Sequence, residues 1–192
     1  PHSDVGNYII IQITGDNEDV LDEQCEKIVE LAEENNAIDS LVADPAVIWK
    51  SRKAYLEADR ARSLVFSMED IVVPMTEIPG AVQQISRLSE KYDVAMHCAG
   101  HCGDGNVHID ILKDDRTQEQ WEEMLPKIQG EIYYLVYSLG GRISGEHGIG
   151  FKREALLEKY TNPIELKLMK AVKKALDPKN IMNPGKVVSI ND

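Results

Sequence analysis

Four of the chain's five histidines lie in two glycine-rich segments, 97-HCAGHCGDGNVHIDIL-112 and 140-GGRISGEHGIG-150. Strand alternation over 106–112 puts Asn106, His108 and Asp110 on one face, and Val107, Ile109 and Ile111 on the other. His101 stands seven residues before His108, across Gly103-Asp104-Gly105. Those glycines permit a tight reversal that brings His101 to His108 at the mouth of a hairpin. Two neutral imidazoles meeting there make half of a metal site. A polar hairpin whose histidines cap backbone groups uses the same residues. The glycine turn, the Asn106 amide and the second histidine together favour the functional alternative.

The second segment offers what the first lacks. In 145-GEHG-148 a carboxylate and an imidazole stand side by side between glycines. Glu146 would complete a set of two histidines and one carboxylate, leaving positions open for substrate or water. Successive side chains of an extended loop point apart. With Glu146 turned to a metal, His147 is free for proton transfer, work suited to an imidazole that ordinarily titrates near neutrality. A glycine loop that packs by close backbone approach, with Glu146 paired to an arginine, stands as the other interpretation.

These segments need a scaffold. The β-rich run 8-YIIIQITG-15 predicts a first strand closed by glycine. A helix over 18–36 places Val20, Leu21, Ile28, Leu31 and Ala32 on one face, and a second over 46–62 carries Trp49, Ala54, Tyr55 and Ala58. 70-DIVVP-74 reads as a short buried strand, followed by a helix over 77–92 with Ile78, Val82, Ile85 and Leu88 inward. Strands at 93–99 and 106–112 flank the glycine turn. A helix with Trp121, Leu125, Ile128 and Ile132 runs to 138, with Pro126 and Gly130 as points where it would bend or split. Short helices near 152–159 and 163–176 form a C-terminal helical extension, and Asp177-Pro178 ends the second. The pattern predicts an α+β fold with helices packed mainly on one face of a sheet. Residues 1–7 are expected to be irregular, and 8–192 to form one domain.

The balance of charge narrows the partners. A chain of 192 residues with net charge -12 has the wrong sign for nucleic acid or an anionic membrane surface. Cys25, Cys98 and Cys102 do not make a disulfide framework, which favours a reducing, cytoplasmic home. There is no run of eighteen apolar residues, and so no transmembrane helix. Peripheral attachment to a membrane through partner subunits is compatible with this, as is a homo-oligomer.

HCGDGNVH, GGRISGEHGIG and NIMNPGKV, in that order, resemble the C-terminal domain of the FAD-linked oxidases, a vanillyl-alcohol-oxidase type of flavoprotein. The group includes glycolate oxidase flavin subunits, D-lactate dehydrogenases and D-2-hydroxyglutarate dehydrogenases. Trp49-x-x-Arg52 and 70-DIVVP-74 fit in the same register. The resemblance implies a ferredoxin-like cap over a flavin and oxidation of a D-2-hydroxy acid, with hydride passing to FAD. It implies a divalent metal, zinc in many members, on His101, His108 and Glu146. By the same resemblance His147 is the base, and Arg52 and Asn106 hold the substrate carboxylate. FAD itself is expected on a domain or subunit outside this chain, because G-x-G-x-x-G is missing and 103-GDG-105 runs on into Asn-Val-His.

Met68 stands where the hydroxyglutarate enzymes align a substrate-binding lysine, which favours a short monocarboxylate such as lactate or glycolate. Cys98 and Cys102 with His97 and His101 suggest a zinc knuckle, but a second paired knuckle is lacking, and buried cysteines serving as small hydrophobes explain them better. Two further functions use the same residues. One is a ferredoxin-like module that binds metal or a partner without catalysis. The other is a metal hydrolase working through bound water.

Overall fold

A computed structural model of the chain describes residues 7–190. They fall into two compact units, one ending at Lys53 and the other beginning at Ala54. The irregular start expected over 1–7 lies, apart from Asn7, outside the described residues.

In the first unit the run 8–15 is not a strand, and Ile9, Ile10 and Ile11 are exposed. β propensity alone does not make a strand: the ladder needs a partner's backbone, and no strand occurs among the described residues of this unit. Helix α1 (Glu18–Glu34) starts at Asn17, whose side chain accepts from the N–H groups of Asp19 and Val20. Its covered face is Leu21, Cys25, Ile28 and Ala32, half-buried, whereas Val20 and Leu31 are exposed. In α2 (Pro45–Lys53) the Trp49 indole donates to Gln12 Oε1 at 2.9 Å. The single helix expected over 46–62 breaks at Ala54, with φ -88 and ψ 2, and no proline or glycine marks the break.

The second unit opens with α3 (Tyr55–Arg62). There follow β1 (Phe66–Val72), a 3-10 turn at Met75–Glu77, α4 (Ile78–Tyr92), β2 (Met96–His101), β3 (Asn106–Leu112), α5 (Gln118–Ser138) and β4 (Arg142–Ile143). Helices α6 (Glu154–Tyr160) and α7 (Pro163–Leu176) form the C-terminal extension. The β-α-β-β-α-β succession and the antiparallel strand order β2-β3-β1-β4 are those of a ferredoxin-like sheet.

One face of the sheet is the core. Ile71, Val107, Ile109, Ile111 and Ile143 pack there against Ala81 and Ile85 of α4 and Trp121, Ile128, Ile132, Tyr133 and Val136 of α5. Each of the buried isoleucines and valines contributes about 1.5–3 kcal/mol by leaving water. The inward row of α4 is Ile78, Ala81, Ile85 and Leu88, with Val82 more exposed than expected. Helix α5 begins at a Thr117–Gln120 capping box and runs unbroken through Pro126 and Gly130. Pro126 and Glu122 are both exposed, so the carbonyl that the proline leaves unpaired can turn to water.

Strand β1 starts at Phe66 and not at 70, because residues 66–69 pair with β3, and polar Ser67 and Glu69 at core-facing positions disguise this in the sequence. Glu69 points into the core face, fully buried, where Ser67 Oγ, Gln129 Nε2, Tyr133 Oη and Lys152 Nζ all donate to its carboxylate. Burial pushes the Glu69 carboxyl up, but Lys152, Tyr133 and Gln129 outweigh it and hold the group below its ordinary value. No helix among the described residues is long and apolar enough to cross a membrane.

Candidate functional site

The opposite face of the sheet carries the polar side chains, and its register assembles them. His101 pairs with Asn106 across the β2–β3 hairpin, and His108 stands between Ala99 on β2 and Asp70 on β1. The reversal at 102–105 ends in Gly105, whose φ is +80. A Cβ there would come within 2.1 Å of the Val73 carbonyl oxygen, so the residue must be glycine. His101 is thereby a diagonal neighbour of His108, and their ring centroids are 5.9 Å apart, edge to face.

After β4 the chain turns back over this face. Ser144 takes φ +69, its N–H donates to the Asp70 carbonyl at 2.9 Å, and its hydroxyl accepts from Gly148 N at 2.6 Å. Gly145 lies directly on the sheet: a Cβ added there would fall 1.9 Å from Asn106 Nδ2. This close approach lets Glu146 Oε1 reach 3.0 Å from His108 Nε2 and 3.9 Å from His101 Nε2. His147 stacks on His108 at 4.7 Å between centroids, with its Nε2 3.5 Å from Glu146 Oε1. The candidate ligand atoms of His101, His108 and Glu146 lie within 4.8 Å of one another. Two imidazoles and a carboxylate at that spacing fit a divalent ion with open positions. His101, Glu146 and His147 are all roughly half exposed, so the group is reachable by a small molecule.

The structure therefore brings together four of the six residues singled out in the sequence, His101, His108, Glu146 and His147, and places Asn106 beneath them. Asn106 is buried, gives one amide N–H to Asp70 Oδ1 at 2.8 Å, and leaves its own carbonyl oxygen without a partner. Arg52 is exposed on α2, in the first unit.

Sequence reasoning missed Asp70. It is fully buried at the centre of β1, and both its oxygens are engaged. Burial pushes its carboxyl up, but hydrogen bonds from the His147 N–H, the Asn106 amide, the Glu146 N–H and the Ser144 hydroxyl outweigh it and hold it below the ordinary carboxylate value. The available signal was an acid opening an otherwise apolar strand, 70-DIVVP-74. Asp70, His108 and His147 also come within ligand spacing of one another. The donors already on the Asp70 oxygens argue against that set.

The cysteines take no part. His97 Nδ1 lies 2.5 Å from Asp59 Oδ1 of α3. Cys98 packs against the core, and burial followed by the charge of Asp110 pushes its thiol up to about 11. Cys102 is exposed, not the buried hydrophobe expected. Among the described residues no cysteine joins a group of three candidate ligands. Near them, burial and then the Asp59 charge push the Asp110 carboxyl up.

Comparison with known proteins places this geometry in a family. Residues 1–187 match the family described as FAD linked oxidases, C-terminal domain, and the chain belongs to it. It is 32% identical over 189 residues to a D-lactate dehydrogenase of Anaerostipes hadrus, covering 96% of this chain and 40% of that protein. It is 32% identical over 173 residues to the glycolate oxidase subunit GlcD of Bacillus subtilis, covering 88% and 37%. It is 34% identical over 143 residues to a D-2-hydroxyglutarate dehydrogenase of Stutzerimonas stutzeri, covering 73% and 30%. The chain thus spans about two fifths or less of the relatives it matches.

Proposed function

We propose that this chain is the substrate-binding cap of a flavoprotein that oxidises a D-2-hydroxy acid of the lactate or glycolate type. FAD, held mainly by a domain or subunit outside the chain, would accept the hydride. The observation that carries the proposal is the convergence of His101, His108 and Glu146, with His147 stacked beside them, on the exposed side of a ferredoxin-like sheet. The names of the three relatives given above, each of which includes a 2-hydroxy acid, support the substrate class.

In this proposal His101, His108 and Glu146 hold a divalent ion, zinc by preference for an imidazole-rich set, which when bound supplies Lewis acidity toward the hydroxyl oxygen. His147 takes the hydroxyl proton. Its Nε2 faces the same space as Glu146 Oε1, yet its ring is stacked parallel to His108, an orientation that suits a base beside the ligands. Arg52 clamps the substrate carboxylate with its two-pronged guanidinium. The family resemblance assigns Asn106 to the same carboxylate, and since its amide is buried beneath Gly145, that role requires the loop to lift when substrate binds. Met68, opposite Asp110 on the same face, offers no cation to a second carboxylate, which favours a monocarboxylate.

The test is anaerobic bleaching of the flavin's visible absorbance in the chain joined to a family flavin-binding domain. D-lactate or glycolate should bleach it faster than D-2-hydroxyglutarate, and Arg52→Lys should raise the concentration needed. Failure of every 2-hydroxy acid to reduce the flavin would reject the proposal. Ester or amide hydrolysis without flavin would move the function to a metal hydrolase.

A further inference from the structure

Asp70 organises the candidate site without being needed as a ligand. Its Oδ1 accepts from Asn106 Nδ2 at 2.8 Å, and its Oδ2 accepts from Ser144 Oγ at 2.9 Å, Glu146 N at 3.0 Å and His147 N at 2.8 Å. Two consecutive backbone N–H groups ending on one oxygen fix the local turn. The Glu146 carboxylate and the His147 ring then both project toward His108. Asp70 Oδ1 also lies 3.6 Å from His108 Nδ1, a buried nitrogen without a hydrogen-bond partner. That is just beyond hydrogen-bond length, and on the side of the ring opposite Glu146. The far end of the loop is held separately, by Arg153 Nη1 on the Gly148 carbonyl at 3.2 Å and Arg153 Nη2 on the Met68 carbonyl at 2.9 Å.

We infer that Asp70 is the positioning residue of this site: a buried carboxylate that preorganises Glu146 and His147 through their backbone and stands behind His108. The chemistry demands an acid. Four donors meet two oxygens, and a carboxylate accepts at both, whereas an amide of the same shape would turn an NH2 group toward some of them. Partners that orient metal-binding side chains in this way are commonly worth 10–100-fold in affinity. The part concerning an ion rests on the function proposed above; the part concerning the loop does not.

The experiment uses the 192-residue chain and two readouts: Co²⁺ titration, and hydrogen exchange at the Glu146 and His147 amides. Asp70→Asn should weaken Co²⁺ binding by roughly 10–100-fold and speed exchange at both amides, while the Ile109 and Ile132 amides stay protected. In a Glu146→Ala background, Asp70→Asn should cost little more, because most of its effect passes through Glu146. Unchanged Co²⁺ affinity in Asp70→Asn, or a full additive loss in the double variant, would overturn the assignment. If the unaltered chain takes up no Co²⁺, the metal reading fails and amide exchange alone decides: unchanged protection in Asp70→Asn refutes positioning, and faster exchange upholds it. If Asp70→Asn does not fold, Ser144→Ala removes one of the same donors from the loop side. It should weaken Co²⁺ binding severalfold or speed exchange at the two amides, and no change in either would refute positioning.

Discussion

Glu146 Oε1 stands 3.0 Å from His108 Nε2, joining a loop that follows β4 to the middle of β3. The contact exists because β3 pairs with β1 in a register that sets His108 opposite Asp70, and Asp70 in turn holds the backbone of the loop. Topology, register and one buried acid together produce it.

The first consequence concerns Gly145. Its missing side chain leaves room for Asn106 Nδ2, which a Cβ would meet at 1.9 Å, and for Asp70 Oδ1, which it would meet at 3.1 Å. Gly145→Ala must lift the loop off the sheet. The substitution should lower divalent-ion affinity at least as much as removing a single ligand, with the far-ultraviolet circular dichroism of the fold retained. Calorimetric titration checks this, and an unchanged affinity would show that the loop is free to shift sideways.

A second consequence separates proton transfer from metal binding. His147 is stacked on His108 and follows a residue whose side chain already faces the two histidines. In the flavin-reconstituted protein, His147→Asn should leave the ion and substrate affinity in place and slow flavin reduction by roughly 10²–10⁴-fold, the usual range for a lost general base. Loss of the ion in that variant, with the rate partly restored by added metal, would make His147 a ligand instead.

Glu69 gives a pH-dependent consequence for stability. Its folded pKa is depressed, chiefly by Lys152 working against burial. Its contribution is therefore complete above the unfolded value of about 4.3 and is lost as pH falls through the lower folded value. Glu69→Gln should destabilise the chain by on the order of 3 kcal/mol near neutrality, because Arg153 remains buried without its acid while the half-exposed Lys152 turns to water. Urea unfolding at about pH 7 and about pH 3 should show the gap between variant and parent shrinking in acid. A gap of the same size at both values would deny that the Glu69 charge matters.

How far the sequence revealed all this depends on where polar groups sit. The core faces of β3 and α5 were legible because Val107, Ile109 and Ile111, and Trp121, Ile128 and Ile132, keep strict periods. The start of β1 was not, because Ser67 and Glu69 occupy core-facing positions and break the alternation. The two-residue strand β4 is too short to carry any period. The run 8–15 looked like a strand from composition, yet pairing is a tertiary property that no local window contains. For the site, unusual residues at unusual spacing named the histidines and Glu146. Asp70 escaped because, although an acid opening an apolar strand is a visible oddity, its role appears only when the register shows His108 opposite it.

If His101, His108 and Glu146 form one cation site, the chain itself should take up metal. Elemental analysis after incubation with Zn²⁺ and removal of excess ion should find about one ion per folded chain. His108→Ala should abolish uptake, and His101→Ala and Glu146→Gln should each lower it sharply, with the fold retained in all three. Equal metal content in the parent and in His108→Ala would mean that these three residues share no ion.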